Sequence, residues 1–255
     1  MYKGFNLSIN NDKTVFFDYE NIGEAVTDGV KSTVYKTLKE VADNKGRISG
    51  TALMSDWFPG VVADVFISHS HKDEKLAIGL AGFLKKSFGL NSFIDSCIWG
   101  YADELLLILD KEYCWRESSG FYDYKTRNKT TSHVNVMLST ALANMIDNCE
   151  IVIFLNTPNS ISCEGFKTES ATESPWIYTE LFLTKVIEKR MPIRNIALGR
   201  TAVLESIKNN LSIKYDLNFQ HLHDVDENLF MLWKENSKAT GSSSLDILYS
   251  LVNGE

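Results

Sequence analysis

Apolar positions along the chain follow two rhythms. From Val61 to Ile67 they run almost unbroken and are rich in β-branched side chains, the pattern of a strand covered on both faces in a parallel sheet. Leu76, Ala77, Leu80, Phe83, Leu84 and Phe88 then recur at three- and four-residue spacing. This predicts a helix that Ser70 and Asp73 are placed to cap and Gly89 to stop. Phe93-Ile94-Asp95 reads as a short second strand, and another helix begins between Ala102 and Leu109. Ser132 is placed to cap a helix carrying Val134, Met137, Leu138, Ala141, Leu142 and Met145 on one face, which leads into a strand from Glu150 to Leu155. Ser174-Pro175 supplies an N-cap and a first-turn proline for a helix running to about Arg190. Ile193 to Leu198 follows as a strand and Leu211 to Tyr215 as a fifth, with closing helices at Leu229 to Trp233 and Leu245 to Val252.

Repeated strand–helix alternation predicts an α/β domain over residues 61–255, built on a doubly wound, flavodoxin-like parallel sheet of about five strands with helices on both faces. Residues 1–60 do not join the alternation cleanly and read as an N-terminal extension ending at the turn Trp57-Phe58-Pro59-Gly60. The polar and aromatic stretch Trp115 to Thr131 reads as an inserted loop, within an insertion near residues 96–132.

Composition narrows the functional classes. With 44% hydrophobic and 23% charged residues over 255, the chain has the make-up of a folded globular protein. A net charge of -7 argues against nucleic acid as a partner. Runs such as Leu105 to Leu109 and Ile151 to Leu155 are too short to cross a bilayer, and no apolar signal core follows Met1. Cys97, Cys114, Cys149 and Cys163 are widely spaced without a CxxC pair, as expected for reduced thiols in a cytoplasm.

In a doubly wound sheet ligands bind at the carboxyl ends of the strands, and three segments there carry candidate chemistry. In Asp64-Val-Phe-Ile-Ser-His-Ser-His-Lys-Asp73, a strand runs into a helix N-terminus, where backbone N–H groups and the helix dipole favour an anion. Ser68, His69 and His71 are thus placed to line a pyrophosphate or ribose, while helix capping suffices for Ser70 and Asp73. After Phe93-Ile94, Asp95 offers a carboxylate, and Trp99 and Tyr101 offer flat surfaces for a base. In the helix start Ser174-Pro-Trp-Ile-Tyr-Thr-Glu180, Trp176 and Glu180 share a face, and Ile177 and Leu183 put that carboxylate at the edge of the apolar stripe. A glutamate there either reaches solvent or is held inside at a cost that function has to justify.

Together these segments resemble the Toll/interleukin receptor (TIR) domain family. Asp64 to Asp73 is similar to its first strand and loop, Phe93-Ile94-Asp95 to the strand before its BB loop, Glu150 to Thr157 to its central strand, and Trp176-Ile-Tyr-Thr-Glu180 to the Trp-x-x-x-Glu helix of its NAD-cleaving members. The resemblance covers roughly residues 61–200. It implies a cytoplasmic enzyme that needs no cofactor, with NAD as substrate, Glu180 as catalytic carboxylate, and Ser68, His69, His71, Asp95, Trp99, Tyr101 and Trp176 around the substrate. It further implies self-association through a BB loop at about Asp95 to Asp103. Bacterial members similar to the signal-producing protein of Thoeris antiphage systems pass an ADP-ribose-derived messenger to a downstream effector.

Two other readings compete. TIR adaptors act by assembly alone, without catalysis. His69-x-His71-x-Asp73 matches the opening of the HxHxDH motif of metallo-β-lactamase-like hydrolases, but Glu74 stands where the final histidine belongs. Only His133, His221 and His223 remain to complete such a site, so His69 and His71 are expected to hold no catalytic metal.

Overall fold

The computed structural model describes residues 1–9, 13–31, 49–57, 62–161, 171–172, 174–192 and 215–253. Its elements in chain order begin with strand β1 (Lys3–Ser8), a 3-10 turn at Val15–Tyr19, helices α1 (Glu20–Lys31) and α2 (Gly50–Trp57), and strand β2 (Val65–Ser68). There follow α3 (Glu74–Phe88), β3 (Ser92–Ile94), α4 (Ser96–Leu109), the hairpin of β4 (Trp115–Arg116) and β5 (Phe121–Tyr122), α5 (Tyr124–Asn148) and β6 (Ile151–Asn156). The chain continues through β7 (Ala171–Thr172), α6 (Pro175–Val186), β8 (Tyr215–Asp216), β9 (His223–Asp226), α7 (Glu227–Asn236) and α8 (Ser243–Asn253).

Five strands form one all-parallel sheet in the order β3-β2-β6-β1-β9. Side chains alternate across it, and both faces are covered, which is why the inner strands β2 and β6 read as near-continuous apolar runs. Val65, Ile67, Ile151, Ile153, Leu155, Phe5 and Leu7 point to one face, packed by α3, α7 and α8 through Phe83, Phe230, Trp233 and Leu248. Phe66, Phe93 and Val152 point to the other, packed by α4 and α5 through Leu105, Leu138 and Leu142. The fold is therefore the doubly wound α/β architecture that the alternation predicts.

The N-terminal residues are not an extension. β1 lies inside the sheet, bonded in register to β6 from Lys3↔Ile151 to Ser8↔Asn156 on one side and to β9 on the other. The next segment is pressed onto α3 at backbone distance. A Cβ on Gly82 would stand 2.1 Å from the Tyr19 carbonyl oxygen, one on Gly79 2.4 Å from that of Phe16, and one on Gly23 1.9 Å from that of Ile78. Phe16 meets Phe83 edge-on, with ring centroids 5.2 Å apart. The boundary at residue 60 fails because β1 is separated in sequence from its partners, so no local alternation reveals the pairing.

Other expectations are refined. Trp115 to Thr131 is a hairpin and the first two turns of α5, whose N-cap is Asp123, not Ser132; its carboxylate accepts from the Thr126 amide at 2.8 Å. Buried Asp110 then staples α4 to α5 by accepting from Arg127 Nε at 2.7 Å and Thr130 Oγ1 at 2.8 Å. Gly89, with φ 71°, ends α3 in the left-handed conformation, as its position predicts. Helix α6 stops at Val186, before Arg190. Tyr215 belongs to a short antiparallel pair with β7, and the outer strand of the main sheet is β9. The strand expected at Ile193 to Leu198 lies outside the described residues. Among the described residues no helix is long and apolar enough to cross a membrane.

Gly82→Ala tests the close approach of the N-terminal segment to α3. Because backbone atoms on the facing segment cannot swing away as a side chain would, the added methyl should cost on the order of 1–3 kcal/mol. At roughly 2–4 °C per kcal/mol for a chain of this size, the melting temperature should fall by several degrees. An unchanged melt would show that this contact is not close.

Candidate active site

The sheet has a switch point between β2 and β6. The chain leaves β2 through α3 on one face and leaves β6 through α6 on the other, opening a crevice at the carboxyl ends of these neighbouring strands. Ser68 is the last residue of β2 and shares the Phe66 side of that strand, facing α6. Helix α6 starts where its sequence directs, with Ser174 Oγ accepting from the Ile177 amide at 3.3 Å and Pro175 in the first turn. Ile177 and Leu181 pack against Phe154 of β6, and this contact turns Glu180, on the same buried helix face, toward the strand ends.

Four polar side chains converge there inside the protein. Ser68 is 1% exposed, His69 4%, Asp95 2% and Glu180 1%. Ser68 Oγ donates to Glu180 Oε2 at 2.6 Å. Glu180 Oε1 receives no donor among the described residues. Asp95, which follows β3, brings a second buried carboxyl beside Glu180. Two ionised carboxylates have no donor between them, so they can share a hydrogen bond only when one of them holds a proton. On its far side Asp95 Oδ1 accepts from the Ser96 amide at 2.8 Å and pairs closely with His69 Nδ1. The His69 contact is a buried charge pair, and Nε2 has no partner among the described residues.

These surroundings set the protonation of the group. Burial pushes the Glu180 pKa well above the ordinary carboxyl value, and the neighbouring Asp95 charge pushes it further, against the Ser68 hydrogen bond. Burial alone would lower the His69 pKa, but Asp95 outweighs it, with Glu74 and Asp73 adding, so the imidazole is raised above its usual value. The surroundings thus favour a proton on both Glu180 and His69, each beyond the ordinary range of its type. At the other end of α6, His221 Nε2 lies 2.8 Å from Thr184 Oγ1; burial, with Lys189 and Lys185 nearby, pushes its pKa down to about 4.

A second polar set braces the crevice and was not singled out from the sequence. Asp73 accepts from Thr157 Oγ1 at 2.6 Å and from Asn159 Nδ2 at 2.7 Å, while Ser160 Oγ donates to the Leu155 carbonyl at 2.9 Å. Neither Ser70 nor Asp73 makes a side-chain capping bond; Asp73 instead ties the loop after β2 to the loop after β6. The signal for this latch was the turn-forming string Thr157-Pro-Asn-Ser160.

Of the residues predicted to form the site, Ser68, His69, Asp95 and Glu180 are brought together. His71 is exposed on the 3-10 turn leading into α3. Trp176 is half-buried one turn before Glu180 and packs on the core under α5. Trp99 and Tyr101 lie in the first turns of α4, and their side chains fall outside the described residues. Cys114 and Cys149 are free and buried, and burial pushes the Cys149 thiol up to about 12. Among the described residues no three His, Cys, Asp or Glu side chains are grouped to hold a metal ion. No protein-family model, curated protein or solved structure matches the chain.

A raised glutamate pKa has a definite linkage sign. The native state holds a proton that the unfolded chain loses above about 4.5, so stability from this group is full below that value and lost as pH rises through the native pKa. Glutamine mimics the protonated form at every pH. Glu180→Gln should therefore melt close to wild type in acid and progressively higher as pH rises. Each pKa unit is worth about 1.4 kcal/mol, so the gap should reach several degrees. Parallel thermal melts across pH check this, and a gap independent of pH would contradict the buried, protonated carboxyl.

Proposed function

We propose that this protein cleaves NAD at the bond between nicotinamide and ribose, with Glu180 as the catalytic carboxylate. The observation that carries this reading is the Glu180 carboxyl itself: buried over the sheet's switch point, hydrogen-bonded by Ser68, beside a second carboxyl, and without a Lys or Arg partner among the described residues. Such a group lacks a cation. NAD brings one, because its nicotinamide is a pyridinium whose departure builds positive charge on the ribose in an oxocarbenium-like transition state. A carboxylate fixed in a water-poor site is well suited to stabilise that charge. The leaving group departs neutral, so no strong general acid is required.

The parts divide the work as follows. Glu180 faces the ribose and offsets its developing charge. Ser68 orients the carboxylate through Oε2. The Asp73–Thr157–Asn159 latch holds the two strand-end loops between which the dinucleotide lies, and Trp176 backs the helix turn that presents Glu180. Because Glu180 is covered, the substrate parts these loops to reach it. The attacking nucleophile sets the product: water gives ADP-ribose, a group within ADP-ribose gives a cyclic form, and another acceptor gives a conjugate. A nucleotide product of this kind would act as a second messenger for a downstream effector in antiphage defence.

The outer face of α6 supports a self-associating form of the same enzyme. Tyr178, Phe182 and Val186, at four-residue spacing, are 37%, 51% and 55% exposed, an apolar stripe that a second copy would cover. Assembly without catalysis is the competing reading of this stripe, and nicotinamide release separates the two. Incubation with NAD should yield nicotinamide and an ADP-ribose-derived product by mass spectrometry. Glu180→Gln should lower turnover on the order of a hundredfold or more without a loss of stability. Near-wild-type turnover by the variant would remove Glu180 from catalysis, and wild type inert toward NAD at every concentration would favour the assembly reading. Specific activity should also fall on dilution as sizing shows dissociation; constant activity from a monomer would exclude dependence on a second copy.

A further inference from the structure

The site contains more acid than a buried pocket tolerates. Glu180, bonded by Ser68, and Asp95, paired with the adjacent His69, bury two carboxyls at the end of β2, and among the described residues the basic group touching them is the His69 imidazole, on the Asp95 side. Around them, β2 contributes Ser68, a neutral donor; the start of α3 contributes Asp73 and Glu74; and α6 contributes Glu180 alone. Asp73 is already engaged by Thr157 and Asn159, and Glu74 accepts from Ser96 Oγ at 3.5 Å. Among the described residues no Lys or Arg pairs with either buried carboxyl. With both ionised, the cluster would carry an uncompensated negative charge inside the protein, a costly state; with one proton bound it is neutral. Position decides which carboxyl holds that proton. Asp95 has the imidazolium and the Ser96 amide to stabilise its charge, whereas Glu180 has one hydroxyl on Oε2 and nothing donating to Oε1.

We propose that Asp95, anchored by His69, is a positioning residue that keeps a proton on Glu180, and that a cationic ligand group arriving beside Glu180 discharges that proton to solvent. The exchange balances: a carboxylic acid and a free cation become a carboxylate–cation pair and one released proton. Glu180 is then charged when its cation is present and neutral when it is not, so the empty site avoids burying a net charge. Asp95 and His69 act through Glu180 and need not touch the substrate themselves. The NAD reading enters only in the identity of the cation.

The test is a carbon-13 NMR titration of the Glu180 carboxyl, with the signal assigned by its loss in Glu180→Gln. In wild type the midpoint should lie above the ordinary glutamate value. Asp95→Asn removes the neighbouring charge and should lower the midpoint by about one unit or more, a tenfold drop in proton affinity. His69→Gln removes the compensating cation and should move it the other way; a merely structural role would not produce opposite signs. Carbocyclic NAD, a pyridinium that is not cleaved, should lower the midpoint, while NADH, with a neutral ring, should not. An ordinary midpoint in wild type, or one that Asp95→Asn leaves in place, would overturn the inference. If the two variants shift the midpoint as stated but saturating carbocyclic NAD leaves the Glu180 signal unmoved, the Asp95 role stands and the NAD reading falls.

Discussion

Burying a carboxyl is among the more expensive things a fold of this size can do, and the region around Glu180 is organised by that cost. An ionised carboxylate out of water needs charged or hydrogen-bonding partners, and without them it takes up a proton. Here one hydroxyl and one competing carboxyl face it, so it is held largely as the acid. The surrounding packing makes the arrangement tolerable. Ile177 and Leu181 fix the turn of α6 against Phe154, and Ser68 is set by a strand whose every residue is buried. None of these side chains can relax outward without opening the core.

The sheet order explains why the cluster stands where it does. β2 and β6 are neighbours whose onward helices pack on opposite faces, so the crevice between them is a product of topology and not of any one loop. β1 fills the far side of β6, and the glycine-mediated contact of residues 16–23 with α3 secures it. The first thirty residues thus help to hold the strand against which α6 packs. Remote stability and local chemistry share one support, which is why a methyl group on Gly82 and a charge change at Glu180 both bear on the same architecture.

Much of this was legible in the sequence, for physical reasons that can be named. Strands β2 and β6, buried on both faces, announce themselves by unbroken apolar runs; α3 and α6 carry stop and start signals in Gly89 and Ser174-Pro175 that operate locally. Glu180 stood out because its helix neighbours are apolar. The membership of β1 did not show, since its pairing with residues 151–156 depends on closure across the whole chain. β9 was hidden for the opposite reason: His223-Asp-Val-Asp226 is an edge strand with one buried side chain, too polar to register. His69 and Asp95 are expected from the sequence to face a ligand; their loops stand where expected, and the three-dimensional structure adds that both side chains are covered and turned toward each other.

Glu180 as the residue that meets a cationic ribosyl group is the claim on which the rest converges. A crystal structure of the Glu180→Gln variant, soaked with NAD that it cannot turn over, addresses it directly. The expected result is NAD across the carboxyl ends of β2 and β6, with the nicotinamide ribose in contact with the residue 180 side chain and the loops after β2 and β6 parted around it. NAD bound elsewhere on the surface, or no NAD at saturation with residue 180 still bonded to Ser68, would contradict it.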